Sequence, residues 1–97
     1  STDSGAALRA TEIKADVLLM AKNVDGVYDS DPKTNPNAKK IDEISYMEII
    51  NHNLNVMDFT ALTLCMENKM PIVAFGLNEK DGLIKAAHGE KIGTTIK

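Results

Sequence analysis

Two short, unbroken apolar runs constrain the fold more than any other feature of the sequence. The first, residues 17–21, is Val-Leu-Leu-Met-Ala directly after Asp16, and the second, residues 72–76, is Ile-Val-Ala-Phe-Gly. Apolar runs of this length, without polar alternation, are typical of strands that are covered on both faces by helices. We therefore predict an α/β fold with a mostly parallel sheet.

Segments with helical spacing alternate with these strands, which is the pattern of a single α/β domain over residues 1–97. Residues 41–44 are predicted as an edge strand or an extended arm, and residues 94–96 as a final strand. Residues 22–40 carry Asp-Gly and Asp-Pro turn signals and are predicted as a long loop. Helices are predicted from Asp3 or Ser4 to about Ile13, from Ser45 through Ile50, from Asp58 to about Lys69, and from Leu83 to Ala87 before Gly89.

Charge, hydropathy and cysteine content exclude several classes of protein. The net charge is −3 with no cluster of Lys or Arg, which argues against a nucleic-acid-binding surface. The longest apolar run, residues 17–21, is too short to span a bilayer, so we expect no membrane partner. The single cysteine, Cys65, cannot form an internal disulfide, which fits a reducing, cytoplasmic compartment. His52 and His88 have no neighbours at metal-ligand spacing, so we predict no metal site.

Four side chains in the loop after the first strand have the chemistry of a nucleotide site. In an open parallel sheet, ligands bind beyond the carboxyl ends of the strands, where this loop must lie. Lys22 offers a positive charge to phosphate oxygens, and Asn23 offers a polar contact. Tyr28 offers an aromatic face to a base, and Asp31 a carboxylate that accepts hydrogen bonds from a nucleoside. The alternative is that these residues only build turns and anchor the loop.

Asp3 is a further candidate, because it stands at the start of the first predicted helix. Unsatisfied backbone N–H groups and the helix dipole favour anions there, and Thr2 and Ser4 add hydroxyl groups. The alternative is that Asp3 only caps the helix. Asp58 presents the same choice at a later helix and is interpreted as a cap. No Gly-rich phosphate loop occurs in the sequence, so any such loop belongs to another part of the protein.

Several segments of the chain, in order and spacing, resemble the C-terminal part of bacterial UMP kinases, which belong to the amino acid kinase family. The resemblance covers essentially the whole chain. The element VDGVYDSDP is shared with acetylglutamate kinases, whereas NVMD and the ending GEKIGT point to UMP kinases. The segments that carry it are TDSGAALRA at residues 2–10, IKADV at 13–17, VDGVYDSDP at 24–32, SYME at 45–48, LNVMD at 54–58, MPIV at 70–73 and GEKIGT at 89–94.

The resemblance implies a three-layer αβα fold in which ATP lies over the C-terminal half and UMP over the N-terminal half, with Mg²⁺ assisting phosphoryl transfer. Thr2 matches a residue that contacts UMP, and Asp3 matches the catalytic carboxylate that organises the lysines. Tyr28 matches a position near the adenine, and Asp31 one that holds the nucleoside. Lys22 or Asn23 matches a further ATP contact.

The resemblance also implies that the phosphate-binding loops and most of the UMP pocket lie in an N-terminal half. The chain opens with Ser1 rather than Met, and a fragment, a processed product and a naturally short protein remain open. We expect these residues alone to bind ATP weakly without turnover. Hexamers are expected, because they are typical of the family. Two alternatives remain: a noncatalytic nucleotide-binding or oligomerisation module, and an acyl-phosphate-forming kinase such as acetylglutamate kinase.

Overall fold

The computed structural model describes Gly5, residues 7–9 and residues 16–97. Gly5 and residues 7–9 are helical, and the rest of the first predicted helix lies outside the described residues. The remaining elements follow along the chain as β1 (Leu18–Lys22), β2 (Val27–Tyr28), β3 (Lys40–Ile41), β4 (Glu43–Ile44), α1 (Tyr46–Asn51), α2 (Phe59–Glu67), β5 (Ile72–Gly76), α3 (Gly82–Ala87) and β6 (Thr94–Ile96).

Four strands form the main sheet in the order β1-β5-β6-β4. β1 and β5 are parallel over five residue pairs, from Leu18 opposite Ile72 to Lys22 opposite Gly76. β4 and β6 are also parallel, whereas β5 and β6 are antiparallel. The predicted α/β class is therefore confirmed. The main sheet is mixed: two of its three strand pairs are parallel, and the antiparallel pair is a feature that the apolar runs did not reveal.

The two predicted strands differ in burial. In β5, Ile72 and Ala74 are fully buried, as the apolar run predicts. In β1, Ala21 is exposed and Leu18 is only half-buried, so the prediction that this strand is covered on both faces is wrong for the described residues. Within the described residues, β1 has one neighbouring strand and β5 has two, and β1 is accordingly the less buried of the two strands.

The starts of α1 and α2 are fixed by side-chain caps, as predicted. The Ser45 hydroxyl accepts the Glu48 backbone N–H and the Glu48 carboxylate accepts the Ser45 backbone N–H, which is a complete capping box. The Asp58 carboxylate accepts the Ala61 N–H at 2.8 Å, so the interpretation of Asp58 as a helix cap is confirmed. α2 ends at Glu67, two residues earlier than expected.

The core lies between α1, α2 and the inner strands. Cys65 has no exposed surface, and burial raises the pKa of its thiol. The Tyr46 ring is also buried, and its hydroxyl donates to the Met70 carbonyl. The helices of the described region are all too short or too polar to cross a membrane. The buried residues that form this core are Ala7, Val27, Ile44, Tyr46, Ile49, Val56, Ala61, Leu62, Cys65, Met70, Ile72 and Ile96.

A two-stranded ribbon interrupts the segment that was predicted as a continuous loop. β2 and β3 pair antiparallel, with Val27 opposite Ile41 and Tyr28 opposite Lys40. The turn region between them is closed by Asp29, whose backbone N–H donates to the Lys39 carbonyl at 3.1 Å. The turn signals hid this ribbon, because each strand contains only two residues and too short a pattern to recognise.

Candidate functional site

A cleft with a volume of about 520 Å³ opens beyond the carboxyl end of β1. Its walls come from two segments that are distant in sequence, the stretch from Lys22 to Lys33, which includes β2, and the connection between α1 and α2, together with Ala74 of β5. This is the edge of a parallel sheet at which ligands usually bind. The residues that line the cleft are Lys22, Val24, Gly26, Val27, Tyr28, Asp29, Ser30, Asp31, Pro32, Lys33, His52, Asn53, Leu54, Asn55, Val56 and Ala74.

Lys22 is the last residue of β1 and is half-buried beside the cleft. Its ammonium group donates to the Val56 carbonyl at 2.7 Å, which links β1 to the connection between α1 and α2. An ammonium group has three donors, so this bond leaves others for a ligand. Lys22 therefore places a positive charge beside the cleft and also fixes one of its walls.

Tyr28 lines the cleft with a ring whose orientation is set by a short contact. Its hydroxyl donates to Asp25 Oδ1 at 2.7 Å. This hydrogen bond raises the pKa of the Tyr28 phenol, and partial burial and the negative charge of Asp25 raise it further. The bond to Asp25 restrains the hydroxyl group, and the aromatic face of Tyr28 can pack against a planar group.

Asp31 lies at the exposed rim of the cleft, in a turn that it helps to build. Its Oδ1 accepts the Lys33 N–H at 2.9 Å, and its carbonyl accepts the Asn35 N–H at 2.8 Å. The carboxylate is therefore held in a fixed orientation by its own loop. The turn interpretation and the ligand interpretation are compatible here, because the hydrogen bond from Lys33 uses only one carboxylate oxygen.

Asn23 faces a different cavity from the other three candidates. Lys22 lines the cleft described above, whereas Asn23 lines a second cavity of about 420 Å³ together with Asp25 and Lys40. Asn23 lies in the bend that follows β1, outside the strand that ends at Lys22. The structure thus places Lys22, Tyr28 and Asp31 around one cleft, whereas Asn23 lines the other cavity.

The sequence interpretation missed one wall of the cleft, formed by residues 52–56. His52 follows α1 as its C-terminal cap, and Asn53 has a positive φ of 51°, a conformation that asparagine tolerates better than most residues. His52, Asn53 and Asn55 surround Leu54 and indicate a turn in the sequence. The position of this turn beside β1 depends on how α1 packs. Thr2 and Asp3 lie outside the residues that the structure describes.

Comparisons with known proteins agree with this architecture. The sequence profile of the Amino acid kinase family matches residues 1–76. Over 96 residues the chain is 53% identical to the chloroplastic uridylate kinase PUMPKIN of Arabidopsis thaliana, covering 99% of this chain and 28% of that protein.

Solved structures share the fold along the whole chain. The UMP kinase of Bacillus anthracis superposes with a TM-score of 0.96 at 37% identity, covering 100% of this chain and 40% of that one. The UMP kinase of Ureaplasma parvum gives a TM-score of 0.91 at 42% identity, covering 100% of this chain and 42% of that one. The chain thus spans less than half the length of these relatives. Because the family profile matches well over half of its residues, the chain belongs to the amino acid kinase family.

Proposed function

We propose that the full-length protein carrying these residues is a UMP kinase, which transfers the γ-phosphoryl group of ATP to UMP and so forms UDP for pyrimidine nucleotide biosynthesis. The observation that carries the proposal is the 53% identity to the Arabidopsis uridylate kinase along almost the entire chain. The fold shared with bacterial UMP kinases supports it. In this proposal residues 1–97 form the ATP-binding part of the enzyme's kinase domain.

The cleft beside Tyr28 is the proposed ATP site. The Tyr28 ring packs near the adenine, and the Asp31 carboxylate accepts hydrogen bonds from the nucleoside. The Lys22 ammonium group lies at the end of β1, where it can attract phosphate oxygens. Asn23 contributes least, because it lines the other cavity. Thr2 and Asp3 are proposed as the UMP contact and the catalytic carboxylate, on the resemblance alone.

Mg²⁺ would enter this site with the nucleotide. In kinases this ion binds phosphate oxygens and water together with only one or two carboxylates, and it neutralises charge on the phosphates. Asp29 lines the cleft beside Asp31, and because the Asp31 carboxylate is assigned to the nucleoside, Asp29 is the carboxylate that fits such a role. Its Oδ1 already accepts the Lys39 backbone N–H at 2.9 Å.

The chemistry of the reaction assigns the described residues a binding role. Phosphoryl transfer depends on positioning and on stabilising charge at the γ-phosphoryl group. Within the described part of the cleft, the cationic side chains are Lys22 and Lys33. Lys22 is partly engaged by the Val56 carbonyl. We therefore assign nucleotide binding and orientation to these residues, and charge stabilisation during transfer mainly to the remainder of the enzyme.

An acceptor panel tests the proposed function. The full-length protein is incubated with ATP, Mg²⁺ and either UMP or N-acetylglutamate, and the products are followed by phosphorus NMR. Formation of UDP supports the proposal. Phosphorylation of N-acetylglutamate alone would instead indicate an acyl-phosphate-forming kinase, and ATP binding without any transfer would indicate a noncatalytic module. The hexamer stays a prediction, and so does the cytoplasmic compartment, since the Arabidopsis relative is named as chloroplastic.

A further inference from the structure

Thr94 is a polar residue of β6 without exposed surface. A buried hydroxyl group destabilises a fold unless it forms hydrogen bonds. The Thr94 hydroxyl donates to the Ile41 carbonyl in β3, and its oxygen accepts the Val27 N–H of β2 at 2.8 Å. One hydroxyl group therefore joins the main sheet to both strands of the ribbon.

The two hydrogen bonds of Thr94 reach one residue pair of the ribbon. Val27 and Ile41 are directly opposite each other in the ladder between β2 and β3. On its other side, Thr94 pairs through its backbone with Ala74 of β5, and Ala74 lines the nucleotide cleft. Thr94 thus fixes the separation between the ribbon and the strand that forms part of the cleft wall.

Gly26 shows how closely the ribbon approaches this hydroxyl group. A Cβ atom at Gly26 would lie 2.8 Å from Thr94 Oγ1, which is closer than such atoms pack. Alanine at this position would therefore displace either the hydroxyl group or the ribbon. Two residues further on, Tyr28 contributes its ring to the cleft, so a displacement of the ribbon moves that ring.

We propose that Thr94 is a positioning residue for the nucleotide: its hydroxyl group holds the ribbon against the main sheet and so places the Tyr28 ring for the base. This inference rests on the proposed function, because it requires that the cleft beside Tyr28 receives an adenine nucleotide. Thr94 itself does not line that cleft and acts only through Val27 and Ile41.

Four variants of the full-length protein test the role of Thr94. Thr94→Val keeps the size of the side chain but leaves the Val27 N–H and the Ile41 carbonyl without their partner, and we expect KM for ATP to rise about tenfold while kcat changes less. Thr94→Ser keeps both bonds and should stay within about twofold of the wild type. Gly26→Ala should also weaken ATP binding, because its Cβ atom would displace the Thr94 hydroxyl group or the ribbon. Thr95→Val, at the adjacent half-buried position, is the matched control and should leave KM unchanged.

Amide hydrogen exchange supplies a readout that ordinary destabilisation would not reproduce. In Thr94→Val, exchange at the Val27 amide should accelerate while the amides shared by β1 and β5 keep their protection. If Thr94→Val does not fold, Gly26→Ala and Thr94→Ser are compared in the same way, and only the former should show the change at the ribbon.

Two results would overturn the inference: a folded Thr94→Val protein with wild-type KM and Val27 protection, or a Thr94→Ser protein as impaired as Thr94→Val. Failure of the proposed function has a different signature. The wild-type protein would then not bind ATP, or Tyr28→Ala would bind it normally, although the Val27 amide still responded to Thr94→Val. That pattern would overturn the nucleotide role of Thr94 as well.

Discussion

Tyr28 combines two properties that the sequence shows only separately. The turn signals around it predicted an irregular segment, and its ring suggested a partner for a base. The structure adds the hydrogen bond to Asp25, which fixes the ring beside the cleft. Asp25 in turn lies close to the backbone of β5, where a Cβ atom on Gly76 would be 3.1 Å from the Asp25 Cα. The orientation of Tyr28 therefore depends on the main sheet.

Replacing Tyr28 separates stacking from hydrogen bonding. We expect Tyr28→Ala to weaken ATP binding by about 1–3 kcal/mol through loss of base stacking. Tyr28→Phe keeps the ring and loses only the bond to Asp25, so its affinity should lie much nearer the wild type. Isothermal titration calorimetry of the full-length protein measures both, and an unchanged affinity in Tyr28→Ala would remove this residue from the site.

Tyr46 should make the fold sensitive to alkaline pH. Burial raises its pKa to about 12, and the nearby Cys65 thiol adds to the shift. The folded pKa exceeds the unfolded value of 10.0, so the stabilising contribution is complete below pH 10 and is lost as the pH rises towards 12. Thermal unfolding followed by circular dichroism should show this loss. Tyr46→Phe should be less stable at neutral pH and show a smaller decline over that interval; an identical decline would assign it to another group.

The elements that the sequence predicted correctly share a local cause. Ser45 and Asp58 begin their helices by accepting nearby backbone N–H groups, and such caps are visible in a few adjacent residues. Gly89 likewise follows α3 with a φ of 76°, where glycine avoids strain. The β2/β3 ribbon was missed because its strands have only two residues each, and because its contact with the main sheet comes from Thr94, more than fifty residues away.

The cap at α2 gives a direct test of the structural interpretation of Asp58. Asp58→Ala removes the acceptor of the Ala61 N–H and should cost about 1 kcal/mol of stability. Asp58→Asn keeps an acceptor oxygen and should cost only a few tenths of a kcal/mol. Urea unfolding midpoints compare the two. Equal losses in both variants would mean that the charge of Asp58, rather than its cap, is what the fold requires.

Across the whole molecule, the sequence predicted the class of fold and most of one wall of the cleft. The apolar runs established β1 and β5, and the loop after β1 contained Lys22, Tyr28 and Asp31. The opposite wall, residues 52–56, could not be predicted, because its place depends on how α1 packs against the sheet. The separation of Asn23 from Lys22 also required three-dimensional information, since both residues follow one another in the sequence.

The 97-residue chain can also be tested for whether it supplies all the groups that phosphoryl transfer requires. The described cleft holds few groups that could stabilise the transferring phosphoryl charge, and the relatives are more than twice as long as the chain. We expect the 97-residue chain alone to produce no UDP from ATP and UMP in a coupled assay, under conditions in which the full-length protein turns over. Measurable turnover by the chain alone would show that it carries a complete catalytic site.

The position of β6 has a consequence for how the protein is made. This strand follows every other described strand in sequence, yet it lies inside the sheet, between β5 and β4. During synthesis, β4 leaves the ribosome long before β6, which joins it to β5 in the described sheet. The β1/β5 pair can form earlier, but the four-stranded sheet is complete only after residues 94–96 have emerged from the ribosomal tunnel.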